Sequence, residues 1–323
     1  MSDIMLEVKN LKKYFPVRGS KGRFVHAVDD ISFTIEKGKT LGLVGESGCG
    51  KSSCARSVIR IYDPDSGTIA LDGIDITKMS QKELLPYRKK VQMIFQDPYS
   101  SLNARMTVRD IIAEPLVAHN ICKTKEEKNE LVFEMLYAVG LSTEHANRYA
   151  HEFSGGQRQR IGIARALILK PGLIICDEPI SALDVSIQAQ IVNMLTEFQR
   201  QLGLSYLFIA HDLSMVRYVS DDVGVMYLGR IVELCESEEI YKNPLHPYTV
   251  GLLASIPVPD PILRKSQEES SMKGDLPSPI DLPSGCRFHT RCPHVIDICK
   301  EVEPSLVEVS PGHQVSCHLY HKY

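Results

Sequence analysis

The spacing of apolar and polar positions changes several times along the chain, and each change marks a different kind of element. Residues 4–9 (IMLEVK) and 31–35 (ISFTI) alternate with a period of two, which predicts strands of an antiparallel sheet with one wet face. The stretch between them, 13–30, is polar and contains glycine, and reads as a loop. Residues 40–44 (TLGLV) predict a buried strand, and SSCARSVIRI continues from it as a helix. PDSG at 64–67 is a turn signal before a short strand that ends in a hairpin-like LDG, and VQMIFQ at 91–96 is another strand. From about 97 to 155 the pattern becomes that of amphipathic helices with charged faces, as in KEEKNELVFEMLYAVGL. Buried-strand runs return at LIICD (173–177) and YLFIAH (206–211). Between these two runs, Ile187, Ile191, Met194, Leu195 and Phe198 recur at helical spacing over 185–202. Strands alternating with helices imply an α/β core with a largely parallel sheet, into which the helical stretch is inserted. After 256 the chain turns Pro- and Ser-rich (IPVPDPILRKSQEESSMKGDLPSP) and reads as a linker. The expected organisation is a core over 1–96 and 156–240, a helical subdomain over 97–155 and a C-terminal extension over 241–323.

Composition narrows the function classes. Lys and Arg total 37 against 40 Asp and Glu, so there is no basic footprint for nucleic acid. Trp is absent, which leaves aromatic recognition to Tyr, Phe or His. No apolar run approaches the ~20 residues of a membrane-spanning helix, and MSDIMLEVKN does not read as a signal peptide. These features predict a chain in the cytosol, or attached to the cytosolic face of another component. Of nine cysteines, Cys49, Cys54, Cys122, Cys176 and Cys235 are scattered and read as small hydrophobes. Cys286, Cys292, Cys299 and Cys317 crowd near the C-terminus, which in a reducing cytosol suggests a metal site rather than disulfides.

The strongest chemical signal is Gly45, Glu46, Ser47, Gly48, Cys49, Gly50, Lys51 and Ser52, which match G-x-x-x-x-G-K-[ST] at a strand-to-helix junction. Glycines let backbone N–H groups turn toward phosphate oxygens, and the helix N-terminus adds positive potential. Lys51 is expected on the β- and γ-phosphates of ATP and the Ser52 hydroxyl on Mg²⁺, and the nucleotide-binding stretch extends to Ser53. Asp177 and Glu178 end a buried strand, where side chains face the ligand crevice of an α/β sheet. Asp177 is expected on Mg²⁺ and Glu178 as the general base for the attacking water. Gln96 and His211 also close strands. The amide of Gln96 is placed for Mg²⁺ and water, and His211 for the γ-phosphate. Tyr14 is either an adenine-stacking aromatic or a core or surface residue. Ser154, Gly155, Gly156 and Gln157 form a second phosphate-seeking turn that one compact cassette cannot use on its own nucleotide. It reads as half of a site that a second copy completes.

In this order the motifs resemble the ATP-binding cassette (ABC) ATPases over roughly residues 4–240. Gly45–Ser52 is similar to the Walker A loop, Gln96 to the Q-loop, Phe153–Gln157 to the signature, and LIICDE to Walker B with its catalytic glutamate. Ser181, Ala182, Leu183 and Asp184 are similar to the D-loop, His211 to the switch histidine, and Tyr14 to the adenine-stacking aromatic. Phe153 stands where the family usually has Leu. The resemblance implies a P-loop NTPase core with an antiparallel β subdomain and a helical subdomain. It also implies head-to-tail dimers, in which Ser154, Gly155 and Gly156 meet the partner's ATP.

The tail, with NPLHPYTVGLLASIP at 243–257, a Pro-rich linker and four cysteines, resembles the ATPase subunits of dipeptide/oligopeptide importers. Nickel importers share much of that pattern and are the alternative. The resemblance implies a second, paralogous ATPase, two permease subunits and an extracytoplasmic solute-binding protein as partners. It places the chain peripherally on the cytoplasmic face of the membrane. A non-transport cassette protein would carry a long coiled-coil insertion or a second cassette, and neither is present. The spacing C-x₅-C-x₆-C-x₁₇-C lacks the tight pairs usual at zinc sites, and the importer resemblance favours a [4Fe–4S] cluster. His289, His294, His313 and His318 keep Zn²⁺ as the alternative.

Overall fold

The computed structural model describes residues 3–20, 22–256 and 274–321. The chain divides into two compact units. One unit comprises Met1–Met5, Glu36–Lys39 and Lys78–Leu207; the other comprises Leu6–Ile35, Thr40–Thr77 and Phe208–Tyr323.

The second unit holds all but the outermost residues of strands β1 (Ile4–Pro16) and β2 (Phe24–Glu36), then β3 (Thr40–Val44), helix α1 (Lys51–Val58), and strands β4 (Ser66–Leu71) and β5 (Ile74–Asp75). An antiparallel sheet runs in the order β2-β1-β4-β5, with Leu6 opposite Leu71 and Val8 opposite Ile69 on its buried face. The segment expected as a loop over 13–30 is mostly strand, and Val17 N–H closes the short connection by donating to Arg23 O (3.0 Å). Asn10 (φ 49°) and Asp30 (φ 66°) adopt left-handed backbone and reset the alternation, so the two-residue period does not run through these strands. The two interact, Asn10 Nδ2 donating to Asp30 Oδ1 (2.9 Å). β3 is buried throughout and pairs in parallel with β9 (Asp222–Tyr227), Val44 facing Val225. β9 continues antiparallel into β10 (Arg230–Glu236), which helix α8 (Ser237–Lys242) follows. From there β12 (His313–Val315) and β11 (Val307–Ser310) extend the same sheet. The C-terminal extension is thus hydrogen-bonded to the sheet that carries the phosphate loop, and the sheet is parallel only on one side. Most of the Pro-rich linker lies outside the described residues.

The first unit contains α2 (Gln81–Arg88), β6 (Val91–Ile94), α3 (Val108–Ala118), α4 (Lys125–Ala138), α5 (Gly155–Leu167), β7 (Leu173–Asp177) and α6 (Val185–Leu202). β6 and β7 pair in parallel, Val91 with Leu173 and Ile94 with Cys176. The helices start where the sequence supplies caps. Thr107 Oγ1 accepts from Asp110 N–H (3.2 Å) ahead of α3, and Thr124 Oγ1 from Glu127 N–H (3.1 Å) ahead of α4. Strand β8 (Ser205–Ala210) spans the boundary between the units. No helix among the described residues is long and apolar enough to cross a membrane.

Candidate functional site

In the second unit the phosphate loop leaves buried β3 and enters α1. Gly45 (φ 151°), Gly48 (φ 82°) and Gly50 (φ 112°) have backbone that L-residues rarely adopt. A Cβ at Gly50 would lie 1.9 Å from Ala27 O, and one at Gly45 2.2 Å from Met226 O. The loop therefore lies directly on neighbouring backbone. Lys51 is buried, and its ammonium donates to Gly45 O (2.7 Å) and Glu46 O (3.0 Å). Those bonds keep the cation inside the loop. Ser47 and Gly48 are exposed at the tip, while Ser52 and Ser53 are half-buried on the first turn of α1. Cys49 is buried beside Lys51; burial pushes its thiol up, against the pull of the ammonium.

Glu46 is anchored from elsewhere in the unit. Its N–H donates to Tyr248 Oη (2.8 Å), on helix α9 (Pro247–Ala254). Its carboxylate takes both Nη groups of Arg291, at 3.0 Å each. Sequence reasoning missed both partners: they lie 202 and 245 residues away, Arg291 carries no motif, and the 243–257 stretch that contains Tyr248 pointed to a family rather than to a contact.

Tyr14 is half-buried, with its ring 4.4 Å from that of His26 and its hydroxyl donating to Asp29. Burial alone would raise the Asp29 carboxyl, but hydrogen bonds from Tyr14 and Arg287 outweigh it and hold the group at about 2. His211 is exposed at the end of β8. Asp212 beside it caps helix α7 (Leu213–Val219) by accepting from Ser214 N–H (2.8 Å).

In the first unit, Asp177 ends β7 fully buried, and Glu178 follows in left-handed backbone (φ 46°). Gln96 Nε2 donates to Glu178 Oε2 (2.8 Å), so two side chains read from separate strands meet. The turn after Glu178 is tied back to it: Ser181 N–H and Oγ both donate to Glu178 O (3.3 and 3.2 Å). Gln188 Nε2 donates to Ile180 O (3.1 Å) and Leu183 O (2.9 Å), fixing Leu183. Ala182 and Asp184 are exposed, and Asp184 stands at the N-cap of α6.

Ser154 caps α5 in a reciprocal box: its Oγ accepts from Gln157 N–H (3.3 Å), and Gln157 Oε1 accepts from Ser154 N–H (3.1 Å). A Cβ on Gly156 would lie 2.6 Å from Ile187 Cγ2, and one on Gly155 3.4 Å from Leu183 Cδ2. The Ser154–Gln157 turn thus packs on the Ser181–Asp184 turn and α6. Phe153, preceding it, is buried with Arg148 over its ring at 5.0 Å and His145 at 5.3 Å.

The four tail cysteines approach one another without building a metal site. Cys286 N–H donates to Cys299 O (2.8 Å), and none of the nine cysteines is paired in a disulfide. Burial, then the neighbouring thiols, push Cys286 up to about 12 despite a backbone hydrogen bond from Phe288, and burial raises Cys317 to about 11. Among the described residues, no three His, Cys, Asp or Glu side chains converge as they would around a metal ion. The expectation of a [4Fe–4S] cluster or Zn²⁺ at Cys286, Cys292, Cys299 and Cys317 therefore gains no support from the geometry.

Comparison with known proteins agrees with the motifs. The profile of the family described as ABC transporter matches residues 28–181, and that described as oligopeptide/dipeptide transporter, C-terminal region, matches 232–299. The chain is 55% identical over 316 residues to the putative oligopeptide transport ATP-binding protein YkfD of Bacillus subtilis, spanning 98% of this chain and 95% of that one. The chain belongs to the ABC transporter ATP-binding proteins, in their oligopeptide/dipeptide branch. The oligopeptide transport ATP-binding protein OppF of Escherichia coli is 51% identical, over 97% of this chain and 96% of its own. Among solved structures, the dimeric ATP-binding cassette MJ0796 with ADP and phosphate superposes with a TM-score of 0.66 at 25% identity, over 72% of this chain and 99% of that one. The cbiO1 cassette of Clostridium perfringens gives 0.66 at 26% identity, over 83% and 100%. As a member of this family the chain is an ATP-hydrolysing transporter subunit with the P-loop NTPase fold.

Proposed function

We propose that the chain drives uptake of di- and oligopeptides across the cytoplasmic membrane as one of two ABC ATPases docked on two permease subunits. An extracytoplasmic solute-binding protein delivers the peptide, and the second ATPase is a paralogue. The chain works peripherally, on the cytoplasmic face. The observation that carries the hydrolytic part is the contact of Gln96 with Glu178, at the strand end where the catalytic base is expected.

In this reading Gly45–Ser53 wrap the phosphates of ATP, and Lys51 exchanges its two loop carbonyls for β- and γ-phosphate oxygens. Tyr14 stacks on the adenine. Glu178, oriented by the Gln96 amide, accepts a proton from the attacking water as the new oxygen–phosphorus bond forms. The bond to the ADP leaving oxygen breaks in line, and His211 donates to the γ-phosphate as its charge redistributes. Ser52, Gln96 and Asp177 are the residues that would hold Mg²⁺, which would supply positive charge against the triphosphate. Ser154, Gly155, Gly156 and Gln157 serve the ATP held by the partner subunit, with Ser181, Ala182, Leu183 and Asp184 supporting them across the dimer. That division of labour is supported by the capping box, which satisfies two N–H groups at the head of α5, those of Ser154 and Gln157, and does not use those of Gly155 and Gly156.

Replacing the base tests the reading. In the assembled transporter, Glu178→Gln is expected to lower ATP turnover by about 100-fold or more and to trap an ATP-bound dimer in gel filtration. Unchanged turnover refutes the role. The finer expectation for the tail, a [4Fe–4S] cluster on its four cysteines, rests on the resemblance alone. Iron and zinc analysis of anaerobically purified protein decides between cluster, zinc and free thiols.

A further inference from the structure

Two arginines of the C-terminal extension reach the loops that this reading assigns to ATP. Arg291 grips the Glu46 carboxylate with two parallel hydrogen bonds, its side chain 8% exposed and that of Glu46 24%. Its guanidinium lies 6.0 Å from the ring centres of Tyr227 and Phe288, which pack on each other and on Tyr248. Tyr248 takes the Glu46 N–H. One turn earlier, buried Arg287 pairs with Asp29, donates to Leu228 O, and holds Glu303 (2.9 Å). Asp29 accepts the Tyr14 hydroxyl. The turn that supplies Leu228 O also supplies Gly229 N–H, which donates to Cys49 O inside the phosphate loop (2.8 Å). The tail thus holds the phosphate loop at Glu46 directly and at Cys49 through the 228–229 turn, and reaches Tyr14 through one carboxylate.

Electrostatics gives this arrangement a role beyond packing. A carboxylate at the second position of a loop that receives a triphosphate repels it, and in a partly buried site that repulsion is poorly screened. Arg291 cancels the charge with the one side chain whose fork matches a carboxylate. Tyr248 takes up the Glu46 N–H, so the loop's phosphate-facing donors begin after it.

We propose that Arg291 and Tyr248 are positioning residues of the phosphate loop, neutralising and fixing Glu46 so that the C-terminal extension sets the affinity for ATP. The proposal rests on the assignment of residues 45–53 to ATP. Titration of the full chain with a fluorescent ATP analogue and Mg²⁺ tests it. Arg291→Gln leaves Glu46 uncompensated and is expected to weaken binding about tenfold, equivalent to ~1.4 kcal/mol. The double variant Glu46→Gln/Arg291→Gln removes the repulsion and is expected to return to within about threefold of wild type. A role in packing alone gives additive losses and no such recovery. In the assembled transporter the single variant is expected to raise KM for ATP more than it lowers kcat. Arg291→Lys, which keeps the charge and loses the fork, is expected to fall between and serves if Arg291→Gln does not fold. Binding by Arg291→Gln within about twofold of wild type, or a double variant as weak as the single, overturns the proposal. Wild-type chain that fails to bind MgATP, or Lys51→Ala that binds as well as wild type, overturns the ATP assignment instead.

Discussion

Gly50 is the residue at which the phosphate loop has the least room. It combines φ 112° with a backbone oxygen, Ala27 O, 1.9 Å from any Cβ that replaced its hydrogen. Backbone cannot swing aside as a side-chain tip can, so Gly50→Ala must displace either β2 or the start of α1. The expected cost is about 3 kcal/mol. Gly48 is the internal control, with φ 82° and nothing within 4 Å of its Cβ position. Gly48→Ala meets only the intrinsic left-handed penalty, about 1–2 kcal/mol. Urea denaturation of the two variants separates the contributions; equal losses would show that contact with Ala27 does not matter. Residues of this kind are legible in sequence because a glycine beside Lys-Ser answers a local backbone demand. Glu46 is the opposite case. Nothing in GESGCGKS marks it, since what fixes it is Tyr248 and Arg291 at the far end of the chain.

At the scale of elements, α5 serves two purposes with one sequence. SGGQ reads as a phosphate-seeking turn, and the structure adds that Ser154 and Gln157 cap the helix reciprocally. The spacing S-x-x-Q was a readable signal for that cap. The two roles separate by substitution. Ser154→Asp keeps an N-cap acceptor, so stability is expected to stay within about 0.5 kcal/mol, whereas Ser154→Ala is expected to lose ~1 kcal/mol. Only the acidic replacement adds a charge at the turn proposed to meet the partner's ATP. Turnover by the assembled transporter is therefore expected to fall further in Ser154→Asp than in Ser154→Ala, the reverse of their stabilities. Thermal melts and phosphate release measured side by side check the inversion. Other elements were legible where the period ran unbroken, as over 185–202, which forms α6 over that same range. β1 and β2 were only half legible, because Asn10 and Asp30 break the two-residue period in mid-strand. The tail strands β11 and β12 were not read at all. They are four and three residues long and gain their identity by pairing with each other and with β10.

At the scale of the whole molecule, the attachment of the tail to the sheet is sensitive to pH through one buried network. Glu233, fully buried on β10, accepts from His246 N–H (2.9 Å), Leu245 N–H (2.7 Å) and His313 Nε2 (2.8 Å), joining α9 and β12 to one carboxylate. His246 Nδ1 accepts from Tyr248 N–H (3.0 Å), so the ring must stay neutral to cap α9. Burial pushes His246 down from 6.5 to about 4, with Glu233 pulling the other way. Between those values the unfolded chain binds a proton that the folded chain refuses, so falling pH favours unfolding. The contribution is intact above about pH 6.5 and is lost progressively toward pH 4, to a limit of about 3 kcal/mol. Asp29 acts in a lower window. Its carboxyl moves from 3.8 to about 2 in the fold, so its stabilisation is present above pH 3.8 and disappears only as pH falls toward 2. His246→Asn retains a good N-cap acceptor and removes the titration. Its stability is expected to be lower than wild type at pH 7 but nearly flat from pH 6.5 to 4.5, where wild type declines. Parallel slopes in the two proteins would assign the acid sensitivity to another group. The same loosening draws Tyr248 from Glu46, so wild-type affinity for ATP is expected to fall across this window while that of His246→Asn changes little.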